Sequence, residues 1–247
     1  MPRLSTGVLG FPEFRGFTRA LILWNLIAYF VLLIVGAFAR GLYDFIMLHF
    51  ALVPPLVLHY GWIWQIGTYW IIHAGILNTA FELLSIWFLA AFLETTHGSR
   101  WVAEVFFVSV LGAALSALLI ALAIPGTQAA LYGCYGGIFG LLIVFGILYA
   151  DMEFMMFPLP FMIKAKYLVA VYMLIALAML FSAQRAYAFS QLGGALAAWL
   201  YIKFAPRRGF ATASSEGWFG IRNRYYRWKR RRAAKKFEVY MRKHRDN

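Results

Sequence analysis

Six apolar runs set the terms for everything else in this chain, at about residues 20–39, 68–93, 101–124, 129–150, 167–183 and 189–204. Runs of this length match what a helix needs to cross a hydrocarbon core. Within lipid the backbone has to satisfy its own polar groups, which leaves the α-helix as the form open to a continuous apolar run. Composition agrees, with 63% apolar and only 13% charged residues. The sequence therefore predicts an all-α, polytopic membrane protein with six transmembrane helices. A short N-terminal segment (1–19), a membrane domain (20–206) and a basic tail (207–247) make up the predicted organisation.

The net charge of +13 is unevenly placed. Sorting the connecting segments alternately puts 21 of the 23 Lys and Arg residues on one side of the membrane, with only Arg40 and Arg185 on the other. The positive-inside rule then assigns both termini to the cytoplasm. Between the first two runs, residues 40–67 are too long for a tight turn. Phe45, Ile46, Leu48, Phe50, Leu52 and Val53, halted by Pro54 and Pro55, suggest a short helix lying in the outer interface.

The fourth run opens on Gly133, Cys134, Tyr135, Gly136, Gly137 and, one turn later, Gly140. Gly133/Gly137 and Gly136/Gly140 make small-xxx-small faces, which let a neighbouring backbone come close inside a membrane. The sixth run carries Gln191, Gly193, Gly194, Ala197 and Ala198, a second small face expected to pack on the first. The second run bears Asn78 and Glu82 four residues apart, and ends at Glu94, Gly98 and Arg100.

These landmarks, in this order, resemble the rhomboid intramembrane serine proteases. In that family the fourth helix opens with Gly-x-Ser-Gly and the sixth carries Ala-His-x-x-Gly. The loop after the first span, with Trp64 and Gln65 where Trp-Arg is usual, and the fifth connection (157–166) are also similar. His73 falls where the family often has a histidine, and Asn78 and Glu82 stand where it places a histidine and an asparagine serving the oxyanion site. The resemblance implies the six-helix rhomboid bundle. At the position of the serine, however, stands Tyr135, and at that of the histidine stands Gln191.

A Ser–His dyad needs a hydroxyl whose proton passes to an adjacent base. Residues 129–150 contain no Ser or Thr, and no His lies between His97 and His244. The expectation is a pseudoprotease: no catalysis, with Asn78, Glu82, Tyr135 and Gln191 as a degenerate site whose polar groups satisfy one another. As a non-catalytic member, it would bind another integral membrane protein as scaffold, chaperone-like binder or complex subunit. Two alternatives stay open, an intramembrane hydrolase with a rebuilt site and a small-ligand or proton carrier using Glu82. A single cysteine, Cys134, excludes an internal disulfide and argues against a Cys-based metal site, so no metal or cofactor is expected. His73 and His97 read as hydrogen-bonded structure.

The tail concentrates Arg227, Lys229, Arg230, Arg231, Arg232, Lys235 and Lys236, with Phe237 and Tyr240 at helical intervals. It reads as a basic amphipathic helix for anionic lipids of the inner leaflet or a protein partner, with nucleic acid disfavoured. The expected location is a bacterial cytoplasmic membrane.

Overall fold

The computed structural model describes residues 14–124, 129–155 and 162–204. The chain divides into two units, Met1–Phe204 and Ala205–Asn247. The basic-helix expectation for Arg227 to Tyr240 lies outside the described residues. Among the described residues the fold is all-α apart from one pair of short strands and an isolated bridge.

Helix α1 (Gly16–Phe38) buries Thr18, Leu21, Asn25, Tyr29 and Leu32, a stripe at three- and four-residue steps. Its opposite face presents Trp24, Ile27, Phe30 and Ile34. Polar groups inward and large apolar groups outward is the arrangement for a helix solvated by lipid. The free donors at its N-terminus are taken by Glu94, which accepts hydrogen bonds from the Phe17 N–H at 2.7 Å and the Thr18 N–H at 2.9 Å. The Thr18 and Ser99 hydroxyls donate to the same carboxylate.

The following connection is built from three short helices, α2 (Arg40–Phe50), α3 (Pro54–Tyr60) and α4 (Gln65–Thr68), and a 3-10 turn at Tyr69–Ile71. Helix α2 buries none of its residues, as expected of an interfacial helix. The two prolines close it off but also open α3, where a missing N–H costs nothing in the first turn. Gln65 is fully buried and pins the loop: its amide donates to the Leu48 carbonyl at 2.8 Å and its oxygen accepts the Val53 N–H at 2.9 Å.

Helix α5 (Ile76–His97) starts eight residues later than the apolar run predicts. Gly75 has φ +82°, a conformation that stops helix propagation back toward Thr68, and residues 72–75 run outside helix. Helix α6 (Ser99–Ala123) follows after Gly98. Helix α7 (Tyr135–Leu148) likewise begins six residues inside its predicted run, after Gly133 at φ +92°. The residues before it are extended, and Leu131 forms an antiparallel bridge with Leu52, exchanging both backbone bonds at 2.8 Å.

Strands β1 (Glu153–Met155) and β2 (Met162–Lys164) pair antiparallel, with Glu153 opposite Lys164. The Lys166 ammonium donates to Asp151 at 2.7 Å and holds that exposed carboxyl below its usual range. Helix α8 (Ala165–Met179) and helix α9 (Arg185–Phe204) complete the bundle, α9 starting one turn before its predicted run. Among the described residues α1, α5 and α6 are long and apolar enough to cross a membrane, while α7 and α8 are shorter apolar helices. Helix α9 has 20 residues but is more polar.

The centre of the bundle is the packing of α6, α7 and α9, and glycines make it possible. A Cβ on Gly194 would fall on the Gly136 carbonyl oxygen, so these two backbones touch. A Cβ on Gly140 would strike the Ser109 side chain and come within 3.3 Å of Ala198 Cβ. The remaining small positions serve other neighbours. Gly137 accommodates the Phe106 ring, Gly193 the Ser116 side chain, and Gly133 the Glu82 carboxylate. Thus the Gly136–Gly140 face lies against Ala113 and Ser109 of α6, and α9 reaches α7 through Gly194 on the Gly136 backbone and Ala198 near Gly140. Gly133 faces α5, whereas Gly137 and Gly193 face α6.

Candidate functional site

Glu82 projects from α5 into the bundle and is 4% exposed. One of its oxygens accepts the backbone N–H of Cys134 at 2.5 Å, at the residue that precedes α7. The carboxylate fits there because Gly133 has no side chain: a Cβ at that position would lie 2.7 Å from Oε2 and 2.8 Å from Oε1. The Tyr135 phenol reaches the same carboxylate. His73, 2% exposed, sets its Nδ1 3.4 Å from Glu82 Oε2.

The other ring nitrogen of His73 is 2.8 Å from Asn25 Oδ1, and Asn25 in turn donates its amide to the Leu21 carbonyl at 2.7 Å. Cys134 is fully buried, with its sulfur 3.0 Å from the Trp70 carbonyl oxygen and 3.6 Å from Asn25 Oδ1. Four elements therefore converge: α1 supplies Asn25, the extended stretch before Gly75 supplies His73, α5 supplies Glu82 and the start of α7 supplies Cys134. The lead-in to α7 is held in register by the Leu52–Leu131 bridge and by the Gly133 N–H donating to the Tyr69 carbonyl at 3.1 Å. The Tyr69 phenol donates to the Val110 carbonyl at 2.8 Å, which ties the same turn to α6.

Of the four positions expected to form one polar network, the structure joins Glu82 and Tyr135 only. Asn78 is exposed, in the first turn of α5, with its amide nitrogen 3.8 Å from where a Gly75 Cβ would be. The buried stripe at this end of α5 runs through Thr79, Glu82 and Ile86, and Asn78 lies outside it. Gln191 is buried, yet its Oε1 has no hydrogen-bond partner among the described residues. Tyr135 is half-buried, and its ring makes an edge-on contact with Tyr187 at 6.2 Å, while Tyr187 also meets Tyr132.

His73 and Cys134, read from sequence as structural or set aside, are instead the closest companions of Glu82. Asn25 had no signal beyond being a lone amide in an apolar run. His73, Glu82 and Cys134 each bring a ligand-type atom to within 4.8 Å of the others. The sequence-based argument against a Cys-containing metal site counted cysteines alone, whereas one thiolate can serve where imidazole and carboxylate join it. His97 stands apart, stacked on Trp101 and 2.8 Å from the Thr96 hydroxyl.

Residues 22–225 match a family described as eukaryotic integral membrane protein (DUF1751), and the chain belongs to that family. The description is of eukaryotic proteins, which leaves the expected bacterial membrane without support. No curated protein matches the chain.

Proposed function

For a member of this eukaryotic integral membrane family, we propose a rhomboid-like bundle without proteolytic chemistry that works by binding another integral membrane protein. The observation that carries this reading is the pair of groups at the two positions aligned with the rhomboid dyad. Tyr135 offers a phenol engaged with Glu82 and Tyr187, and Gln191 offers a carboxamide that cannot take up a proton at neutral pH. The family's nucleophile activation pairs a serine hydroxyl with an imidazole, and neither position supplies either group.

The docking face would be the one beside α5 and α8. There Leu77, Phe81 and Leu84 on α5, and Val171, Leu174 and Ile175 on α8, present apolar side chains outward. A partner helix of matching apolarity would replace lipid on that surface, with small and shape-fitting contacts supplying the affinity. The basic tail, with 14 Lys and Arg in residues 207–247 against Glu216, Glu238 and Asp246, would lie on anionic lipid, each cation contributing about 1 kcal/mol. Its apolar positions Phe237 and Tyr240 would add a protein contact.

The test is extraction of the tagged full-length chain in mild detergent, followed by mass spectrometry of co-purifying proteins. A stoichiometric membrane protein, released by Leu77→Asp with Phe81→Asp, is the expected result. A chain that purifies alone and cleaves a transmembrane peptide would overturn the reading.

A further inference from the structure

We propose that His73, Glu82 and Cys134 form a binding site for one divalent transition-metal ion of the zinc class, oriented by Asn25. The argument begins at the Leu21 carbonyl, which can only accept a hydrogen bond. Asn25 must therefore turn its amide nitrogen toward Leu21, at 2.7 Å, and its oxygen toward His73. That oxygen can only accept, so the proton on the His73 ring lies on Nε2, 2.8 Å away. Neutral imidazole then carries its lone pair on Nδ1.

This lone pair is enclosed, because His73 is 2% exposed and Nδ1 has no hydrogen-bond partner among the described residues. It faces a carboxylate oxygen 3.4 Å away in an orientation that makes no hydrogen bond. Two electron-rich atoms so placed call for a cation between them. The spacing suits one: two ligand atoms each about 2.0–2.1 Å from a tetrahedral zinc stand roughly 3.3–3.4 Å apart. A thiolate at about 2.3 Å from the same ion would lie about 3.5 Å from each of the other two ligands. The Cys134 sulfur is within 4.8 Å of both, so a modest side-chain rotation brings it in.

The hydrogen-bonding partners present support the same assignment. As a thiol, Cys134 donates to the Trp70 carbonyl at 3.0 Å; binding a metal expels that proton and removes the bond that holds the sulfur away. The Cys134 N–H on Glu82 Oε2 and the Asn25 oxygen on His73 are the second contacts that metal ligands generally carry. Thiolate, imidazole and carboxylate together select zinc or a zinc-like ion over magnesium or calcium, which take oxygen ligands. Three protein ligands leave a fourth position for water or a partner's group.

The experiment uses the full chain in detergent, stripped with chelator and titrated with Co²⁺ alone, then with Zn²⁺ in competition. The expected result is one equivalent of Co²⁺ with a thiolate-to-cobalt charge-transfer band in the near ultraviolet, displaced by Zn²⁺. That band reports the sulfur in the unaltered protein and so does not depend on any variant folding. Cys134→Ser should abolish it, and Asn25→Ala should weaken Co²⁺ affinity by about 10–100-fold while leaving the band in place at saturation. Absence of the band at saturating Co²⁺, with Cys134 alkylated equally fast with and without Zn²⁺ in mild denaturant, would show a protonated His73–Glu82 pair instead and overturn the proposal.

Discussion

At single residues the decisive property is often the absence of a side chain. Gly194 is the sharpest case, since any Cβ there lands on the Gly136 backbone, which cannot rotate away as a side chain would. Gly194→Ala should therefore destabilise the bundle by about 1–3 kcal/mol, read as a lowered midpoint of thermal unfolding in detergent. Gly67→Ala makes a fair control, because nothing lies within 4 Å of its Cβ position. An unchanged midpoint in both variants would mean that α7 and α9 do not touch at this point. Glu82 shows the complementary situation: its carboxylate occupies the very space that Gly133 leaves open. Gly133→Ala adds a methyl group against that carboxylate at a backbone angle unfavourable for alanine. The expected loss exceeds that of Gly194→Ala, and it should be accompanied by faster alkylation of Cys134.

At the scale of elements, two side chains act as fasteners between segments far apart in sequence. Glu94 gathers donors from the start of α1 and from Ser99, joining the first helix to the junction of α5 and α6. Bonds to a charged acceptor are worth more than neutral ones, and their donors become unsatisfied when it is removed. Glu94→Ala should cost about 2–4 kcal/mol and loosen α1 first, visible as rapid hydrogen exchange at residues 17–20. Gln65 fastens α2 to α3 in the same manner through Leu48 and Val53. Gln65→Leu keeps most of the volume and removes both bonds. Its expected signature is proteolytic cleavage within 45–60 with little change in global unfolding, since α2 buries none of its residues.

For the whole molecule the expectation is catalytic silence that no simple repair restores. Tyr135→Ser with Gln191→His would put the dyad's residue types back. Even so, Glu82 would remain beside the reacting position, where its negative charge opposes a developing oxyanion. Neither fluorophosphonate labelling nor cleavage of a transmembrane substrate should appear in that variant; either would require a different reading of the site. The helices were legible because apolar runs have a single physical solution in lipid, and the Gly136–Gly194 approach followed from small-residue spacing. Their starting points were not, since Gly75 and Gly133 break apolar runs by backbone angle without changing hydrophobicity. That displacement left His73 in an extended segment that reaches in, while Asn78 falls outside the buried stripe of Thr79, Glu82 and Ile86. Asn25 carried no pattern, and Cys134 stood at the variable position of its glycine motif: what gathers them is the tertiary crossing of α1, α5 and α7.

The crossing also has an order in time. Fifty-two residues separate Glu82 from the Cys134 N–H that donates to its carboxylate. A ribosome adds about 5–20 residues each second, so the carboxylate is made several seconds before its partner exists. Through that interval α5 carries an acid that has His73 for a neighbour, while α6 is still being delivered. A half-made chain thus carries an intramembrane acid that still lacks its backbone donor, a costly arrangement in hydrocarbon. Docking of the segment before α7 onto Leu52 and Tyr69 places the Cys134 N–H on that acid, so the polar centre is complete only once the fourth apolar run has arrived.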